Sequence, residues 1–496
     1  MEDTNVELRK YRCASNLLMR LRFIFCCLYV VSFNHIHAQN SDKAVEFSSL
    51  ISEESMKHNL SIFASDSFLG RDTGKEGQKL AADFLINQYK SLEIGYPPQQ
   101  NGYEQFFTVI ESQPSGFLTI NNQLLSFDSS FFYFGAKRKQ KIQQLPLYSL
   151  SKNSSKISDS CVAVCYVDNL NLRDEIAKIK LKLPINAKAL VLITSNYSQL
   201  STYFEHYIHD ASMYLKEDEQ QNEFPIIIVN SQSLSNAFLN KVKSNKKTKN
   251  VGLLSCELNA ENKELTSSNV LAFIPGQDEL LKEEVIVISA HYDHIGVKNG
   301  EIYNGADDDG TGSVALLEIA KALKQATLAG YGLKRSVLFL HVSGEEKGLL
   351  GSSYYTNHPV LPLAQTVTDL NIDMIGRNDA EHPLDTNYVY IIGSSMLSND
   401  LHQANEQANK WTKLKLDYRY NLLSDPNQFY YRSDHYNFAK NNIPVIFYFS
   451  GIHEDYHKPT DDVEKIIFSK VKRISQLVFH TMWNIGNMAL RPQLTK

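Results

Sequence analysis

Several things are scarce in this chain. No block of basic residues is present, and the formal charge is −5, so binding to nucleic acid by phosphate neutralisation has no electrostatic footprint. Long apolar runs are missing too. Phe23 to Phe33 spans eleven residues, short of the ~20 that cross a bilayer, and no second run of membrane-spanning length follows. Cysteines number six, and Cys13, Cys26 and Cys27 lie in the first 38 residues. The remaining three, Cys161, Cys165 and Cys256, make no disulfide framework, so the fold must rest on its core. Cys161 and Cys165 sit four apart on a predicted strand, too far along it to pair with each other. The favoured single bridge joins Cys256 to one of them. There is no internal repeat and no long low-complexity segment.

What is present is ordinary globular composition, 43% hydrophobic and 21% charged over 496 residues. At ~100–200 residues per domain this length allows at least two. The amino terminus reads as a targeting segment. Arg20 and Arg22 precede the apolar run, and Ile36-His37-Ala38 ends on a small residue. This resembles a secretory signal (residues 1–38) cleaved after Ala38, with Met19 as an alternative start and an uncleaved anchor as the competing reading. Its removal leaves 45 basic against 52 acidic residues, a net charge of −7. The localisation implied is secreted or periplasmic.

Apolar spacing predicts helices over 53–64 and 76–92, separated by a loop containing Gly70-Arg71-Asp72-Thr73-Gly74, and a strand over 103–110. From about 126 to 258 the texture changes. Short apolar runs at 161–167, 189–194 and 224–229 alternate with Lys- and Ser-rich loops, predicting an inserted, mostly β domain with some helix. The basic stretch Ser244 to Asn250 reads as solvated surface. From Ser267 onward, strands at 285–290, 336–342, 370–374, 388–392 and 445–449 alternate with helices such as 312–323. Continuous apolar strands of this kind are buried on both faces. The expected fold is a three-layer α/β/α sandwich around a mixed, largely parallel sheet. It would be assembled from residues 40–125 and 259–490 around the insert 126–258.

The chemistry-bearing residues fall where such a sheet gathers ligands, at the carboxyl ends of its strands. His291 and Asp293 follow one strand, Glu345 and Glu346 follow another, Asp373 sits at the end of a third, Asp308 precedes a helix, and His457 follows the last strand by a loop. Two imidazoles and three carboxylates suit two adjacent zinc ions. Dications ~3.5–4 Å apart need a shared ligand, so the set divides into one His and one carboxylate per metal plus a bridging Asp. Glu345 is left over to handle a proton.

These motifs, His291-Tyr292-Asp293, Asn304 to Gly310, Gly344-Glu345-Glu346, Asn371 to Met374 and Tyr456-His457, resemble the co-catalytic dizinc aminopeptidase family, clan MH metallopeptidases that include secreted bacterial leucine aminopeptidases. The resemblance covers roughly residues 53–110 and 267–490, and the insert resembles a protease-associated domain more loosely. It implies the zinc exopeptidase, phosphorylase/hydrolase-like fold. It implies that His291 and Asp373 hold one zinc, Glu346 and His457 the other, and that Asp308 rather than Asp307 bridges them. Glu345 would be the general base, Tyr456 a donor to the oxyanion, and Asp293 the group that orients His291 through its other ring nitrogen.

The cofactor implied is two zinc ions per chain, with cobalt or manganese able to occupy similar sites. The substrates implied are peptides or proteins with a free amino terminus. Competing readings are a single-zinc glutaminyl cyclase-like acyltransferase and a non-catalytic binding protein on the same fold. Arg377 either contacts substrate or pairs with an acid nearby. His294 and His435 either line the site or pack in the core. Asp462 is the candidate partner behind His457.

Overall fold

The computed structural model describes residues 42–150, 157–221, 223–244, 249–259 and 261–495. The expected signal segment lies outside them. Among the described residues, no helix is long and apolar enough to cross a membrane.

Nine described strands form the larger sheet, in the spatial order Lys415–Asp417, Tyr388–Ile392, Val445–Phe449, Thr366–Ile372, Val285–His291, Ser336–Val342, Asn262–Ile274, Glu104–Ser112 and Ser212–Leu215. Its four central strands, from Val445–Phe449 to Ser336–Val342, run parallel, while antiparallel pairings lie outside them. The sheet is thus mixed, with its parallel part where the candidate residues are. Val285–His291 is buried at every position because both faces are covered. Ile286, Ile288 and Ala290 enter one core with helices Glu53–Phe63, Glu76–Ser91, Gly312–Leu328 and Phe468–Asn487. Val285 and Val287 enter the other, with Tyr355 and Phe438 from two short helices. This alternation is what makes three layers from one continuous apolar run.

The second sheet has eight described strands between Gly116 and Leu258. It therefore takes in Gly116–Ile120 and Gln123–Ser126, ahead of residue 126, the expected start of the insert. Gln140–Ser149, Cys161–Tyr166, Ala187–Thr194 and Ile226–Asn230 are parallel neighbours. Apolar clusters cover both of its faces. Ser212–Leu215 leaves this segment to pair with Glu104–Ser112 at the edge of the first sheet.

The expected disulfide is absent: Cys161, Cys165 and Cys256 are free. The reason is topological. Gln140–Ser149 lies between the strand carrying Cys256 and the strand carrying Cys161 and Cys165. Two strand spacings are ~9–10 Å, beyond the reach of a disulfide.

Besides His435, two histidines away from the site are buried as neutral rings. His341 packs beside Tyr89, with Nε2 2.7 Å from its hydroxyl. His480 meets the Ser48 hydroxyl at 3.1 Å. Burial pushes His341 down to about 3 and His480 down to about 4. The unfolded chain titrates near ~6.5, so it takes up these protons before the folded protein does. Their stability contribution is complete above ~6.5 and is lost as pH falls toward the folded values. By pH 5.5 each should withdraw about 1.4 kcal/mol. Urea denaturation at pH 8 and pH 5.5 tests this. His341→Gln should flatten the pH dependence by about that amount, and an unchanged slope would contradict it.

Candidate metal centre and active site

Parallel pairing brings the site together. His291 ends its strand in register with Val342, so the loop carrying Glu345 and Glu346 starts beside it. On the other side, Thr366–Ile372 delivers Asp373 directly after its last residue. The loop from Gly305 to Thr311 then crosses in front and leads into helix Gly312–Leu328.

Three consecutive aspartates in that loop have three different tasks. Asp307 accepts hydrogen bonds from Gly376 N at 2.6 Å and the Thr311 hydroxyl at 3.0 Å, and its second oxygen lies 3.3 Å from His453 Nε2. Asp309 accepts from the backbone N–H groups of His291, Gly312 and Met374. Only Asp308 presents both oxygens to side chains of the site. Its Oδ1 lies 3.2 Å from His291 Nε2, and its Oδ2 lies 3.2 Å from His457 Nε2. Asp461, one residue before the expected Asp462, holds this loop from behind by accepting from the N–H groups of Asp307 and Asp308.

The other predicted residues converge on the same point. Asp373 Oδ1 lies 3.7 Å from His291 Nε2, and its Oδ2 accepts a 2.7 Å hydrogen bond from Ser433. Glu346 Oε2 lies 3.1 Å from His457 Nε2. Tyr456 stacks on the His457 ring, with centroids 3.8 Å apart. Glu345 and Tyr456 line an open cavity over the cluster, together with Asp308, Asp373, Phe429 and Phe449.

His294 is a residue that sequence reasoning left undecided and the structure places. It is fully buried, and its Nδ1 lies 2.7 Å from Glu346 Oε1. Its spacing three after His291 was the available signal. Ser433 was missed, since a serine carries no ligand signature. Arg377 pairs with Asp455 at 2.9 Å, the acid that one of its two expected readings called for. His435 stacks on Phe447 in the core.

Asp293 departs from its expected role. The His291 Nδ1 contact is with the Asp293 backbone carbonyl at 3.1 Å, while the carboxylate stands 3.9 Å away. That carboxylate instead accepts from the Thr73 hydroxyl and from Glu345 N. A residue two positions on cannot easily turn its side chain back to the ring, but its carbonyl is already there. The imidazole is oriented all the same, because a backbone acceptor fixes the tautomer as well as a carboxylate does.

The electrostatics follow from crowding. Burial alone would raise Asp308, but hydrogen bonds to His291 and His457 hold it well below the usual carboxylate range. Burial and Asp308 push Glu346 up, and the imidazoles of His294 and His457 more than reverse this, to about 2. Burial works against a charged His457, yet Asp308 and Glu346 raise it to about 10. Burial pushes Glu345 well above its ordinary value; His291 offsets part of this, and Glu346, Asp434 and Asp373 add to it.

These donors fit a metal. Among the described residues, His291, Asp308 and Asp373 form one group whose ligand atoms cluster, and His294, Asp308 and Glu346 form another. His291 Nε2, Asp308 Oδ2 and Glu346 Oε1 are buried and lack an ordinary hydrogen-bond partner. Zinc bonds of ~2.0–2.2 Å in tetrahedral geometry place neighbouring donors roughly 3.3 Å apart. The 3.1 to 3.7 Å separations around Asp308 and Glu346 match that spacing.

A mixed α/β sheet with a His–carboxylate cluster on its carboxyl edge defines the class, a zinc-exopeptidase-like α/β fold. Residues 269–482 match the profile of peptidase family M28. A probable leucine aminopeptidase of Trichophyton verrucosum is 30% identical over 218 residues, which cover 42% of this chain and 55% of that one. Aminopeptidase YwaD of Bacillus subtilis is 24% identical over 238 residues, covering 47% of each. The chain thus spans about half the length of these curated relatives. The aminopeptidase from Aneurinibacillus sp. strain AM-1 superposes with a TM-score of 0.54 at 16% identity, over 91% of this chain and 97% of that one, a likeness of fold.

Arg71 is the keystone beneath this loop, and a sequence reading of residues 66–74 as simple loop passes over it. Its guanidinium is fully buried and donates to the carbonyls of Phe63, Tyr292, Asn304 and Gly305. Burial lowers it to about 10, against the pull of Asp293 and Asp308. Arg71→Met would leave four carbonyls unpaired at about 1–3 kcal/mol each. We expect a loss of at least about 4 kcal/mol in urea unfolding; a loss under ~1 kcal/mol would show that water replaces the guanidinium.

Proposed function

We propose that the protein is a secreted or periplasmic dizinc aminopeptidase that removes amino-terminal residues from peptides. The observation that carries this is Asp308, whose two oxygens each face a different imidazole, with Asp373 beside one and Glu346 beside the other. One carboxylate shared between two His–carboxylate pairs is the donor arrangement that two adjacent dications require. His291 and Asp373 would hold one ion, His457 and Glu346 the other, and Asp308 both. When bound, the pair supplies Lewis acidity to the scissile carbonyl and to water.

The remaining steps belong to the chain's own groups. Glu345 lines the cavity, and its raised affinity for a proton suits it to take one from the attacking water and pass it to the leaving amine. Burial, then Asp308, Glu346 and Glu345, raise the Tyr456 hydroxyl far above its ordinary value, so it stays a donor. It would donate to the oxygen of the tetrahedral species. A free α-ammonium is the end of the substrate that this reading assigns to the cavity. The aminopeptidase relatives support the same end of the peptide. Ser433 would steady Asp373 through its hydrogen bond.

Metal content of the purified protein and hydrolysis of free and amino-blocked dipeptides test this reading. Two zincs per chain with cleavage of only unblocked substrates is the expected result. One zinc with cyclisation of amino-terminal glutamine would replace it by the cyclase reading. Glu345→Gln should lower kcat about 10²–10⁴-fold with metal retained. Asp308→Ala should lose both ions, and full occupancy in that variant would refute the bridging role.

A further inference from the structure

One cation on the cavity is not used by this mechanism. Arg432 stands at the exposed rim, and its Nη2 lies 3.5 Å from the Tyr456 hydroxyl. Its guanidinium packs over the Phe429 ring, 5.0 Å from the centroid. Its backbone is anchored by the next residue, Ser433, whose hydroxyl donates to Asp373. Nearby cations are engaged elsewhere: Arg377 pairs with Asp455, and Lys465 also pairs with Asp455. Among the described residues, Arg432 forms no ion pair with any carboxylate.

We infer that Arg432 binds a carboxylate on the residue that follows the scissile bond, and that the preferred substrates are dipeptides with a free carboxyl terminus. This rests on the peptidase reading above. A guanidinium presents a planar fork of donors that matches a carboxylate in bidentate geometry. Stacking on Phe429 holds the fork in place without using its donors.

The position fits the residue that follows the scissile bond. If Tyr456 faces the scissile oxygen, a group 3.5 Å from its hydroxyl lies close to the leaving residue. The α-carboxylate of that residue is one ~3.8 Å Cα step from the reacting unit. Arg432 at the rim suits the carboxylate end of the leaving residue. The apolar wall of Phe429, Phe447 and Phe449 is left for that residue's side chain.

The same chemistry could come from an Asp or Glu side chain on the leaving residue, and the substrates are chosen to separate the two. The zinc-loaded protein is assayed with Leu-Leu, Leu-Leu amide, Leu-Glu amide and Leu p-nitroanilide. We expect kcat/KM for Leu-Leu to exceed that for Leu-Leu amide about ten-fold or more, the scale of a charge-assisted hydrogen bond. In Arg432→Gln this ratio should fall to near one, with Arg432→Lys in between. Leu-Glu amide should follow Leu-Leu amide; if it matches Leu-Leu instead, the terminal carboxylate is overturned as the source in favour of the side chain. A ratio near one in the unaltered protein overturns the inference. So does an unchanged ratio in Arg432→Gln with all four rates falling together, which would assign Arg432 to the oxyanion through Tyr456. Calorimetric binding of Leu-Leu and its amide to Glu345→Gln reads the same preference without turnover. Preference there without hydrolysis in the parent protein would sink the peptidase reading and leave this one standing.

Discussion

A carboxylate taken out of water must meet positive charge or donors at close range, because unpaired burial costs several kcal/mol. Asp308 meets that condition through the side chains of His291 and His457, with His294 Nδ1 3.9 Å from one of its oxygens. Every neighbour is then constrained. Asp307 and Asp309 must hold the loop so that Asp308 alone points inward. Arg71 must gather the carbonyls on the loop's outer side, where several strands and turns meet. The many acidic groups near the site, including Asp293, Glu345, Glu346 and Asp373, leave the pocket short of positive charge. A divalent cation relieves that shortage more fully than shared protons do.

The strands of the central sheet were legible because each is a continuous apolar run, and two cores need apolar residues on both faces. The five proposed ligands were legible for a related reason. Parallel strands put their carboxyl ends on one edge, so polar residues just after apolar runs are brought together by topology. What could not be read was anything that depends on which atom of a residue faces the site. Asp293 contributes its carbonyl to His291 and its carboxylate to Thr73, and no spacing rule distinguishes these. Asp461 and Asp462 are neighbours in sequence, yet only the first has its side chain on the loop. Cys256 failed as a disulfide partner because strand order, invisible in the sequence, interposes Gln140–Ser149.

His294 shows where carrying a pattern over residue by residue stops. A ligand set already complete at five leaves no reason to place a third imidazole. Yet His294 is buried against Glu346 at 2.7 Å, with His457 on the other oxygen of the same carboxylate. Glu346 is therefore held from both sides, whereas Asp373 has a hydroxyl at Oδ2 and an imidazole at Oδ1. The two halves of the cluster are not equivalent electrostatically. The half built on Glu346 carries two imidazoles, and the half built on Asp373 carries one imidazole and a hydroxyl.

That asymmetry bears on how a substrate would lie. Asp373 and Glu345 face the cavity, while Glu346 is drawn toward the two histidines beneath it. Of these carboxylates, Glu345 alone faces the cavity without holding an ion in the proposed scheme. Arg432 lies on the far side of Tyr456, over Phe429. A molecule with separated charges would feel this as a field along the cavity, and its orientation would follow from electrostatics before any specific contact forms. Apolar rings on the wall carry no such direction. They can accept side chains of differing shape without altering which end of the molecule meets the carboxylates. Direction and side-chain preference are therefore set by different residues of one cavity.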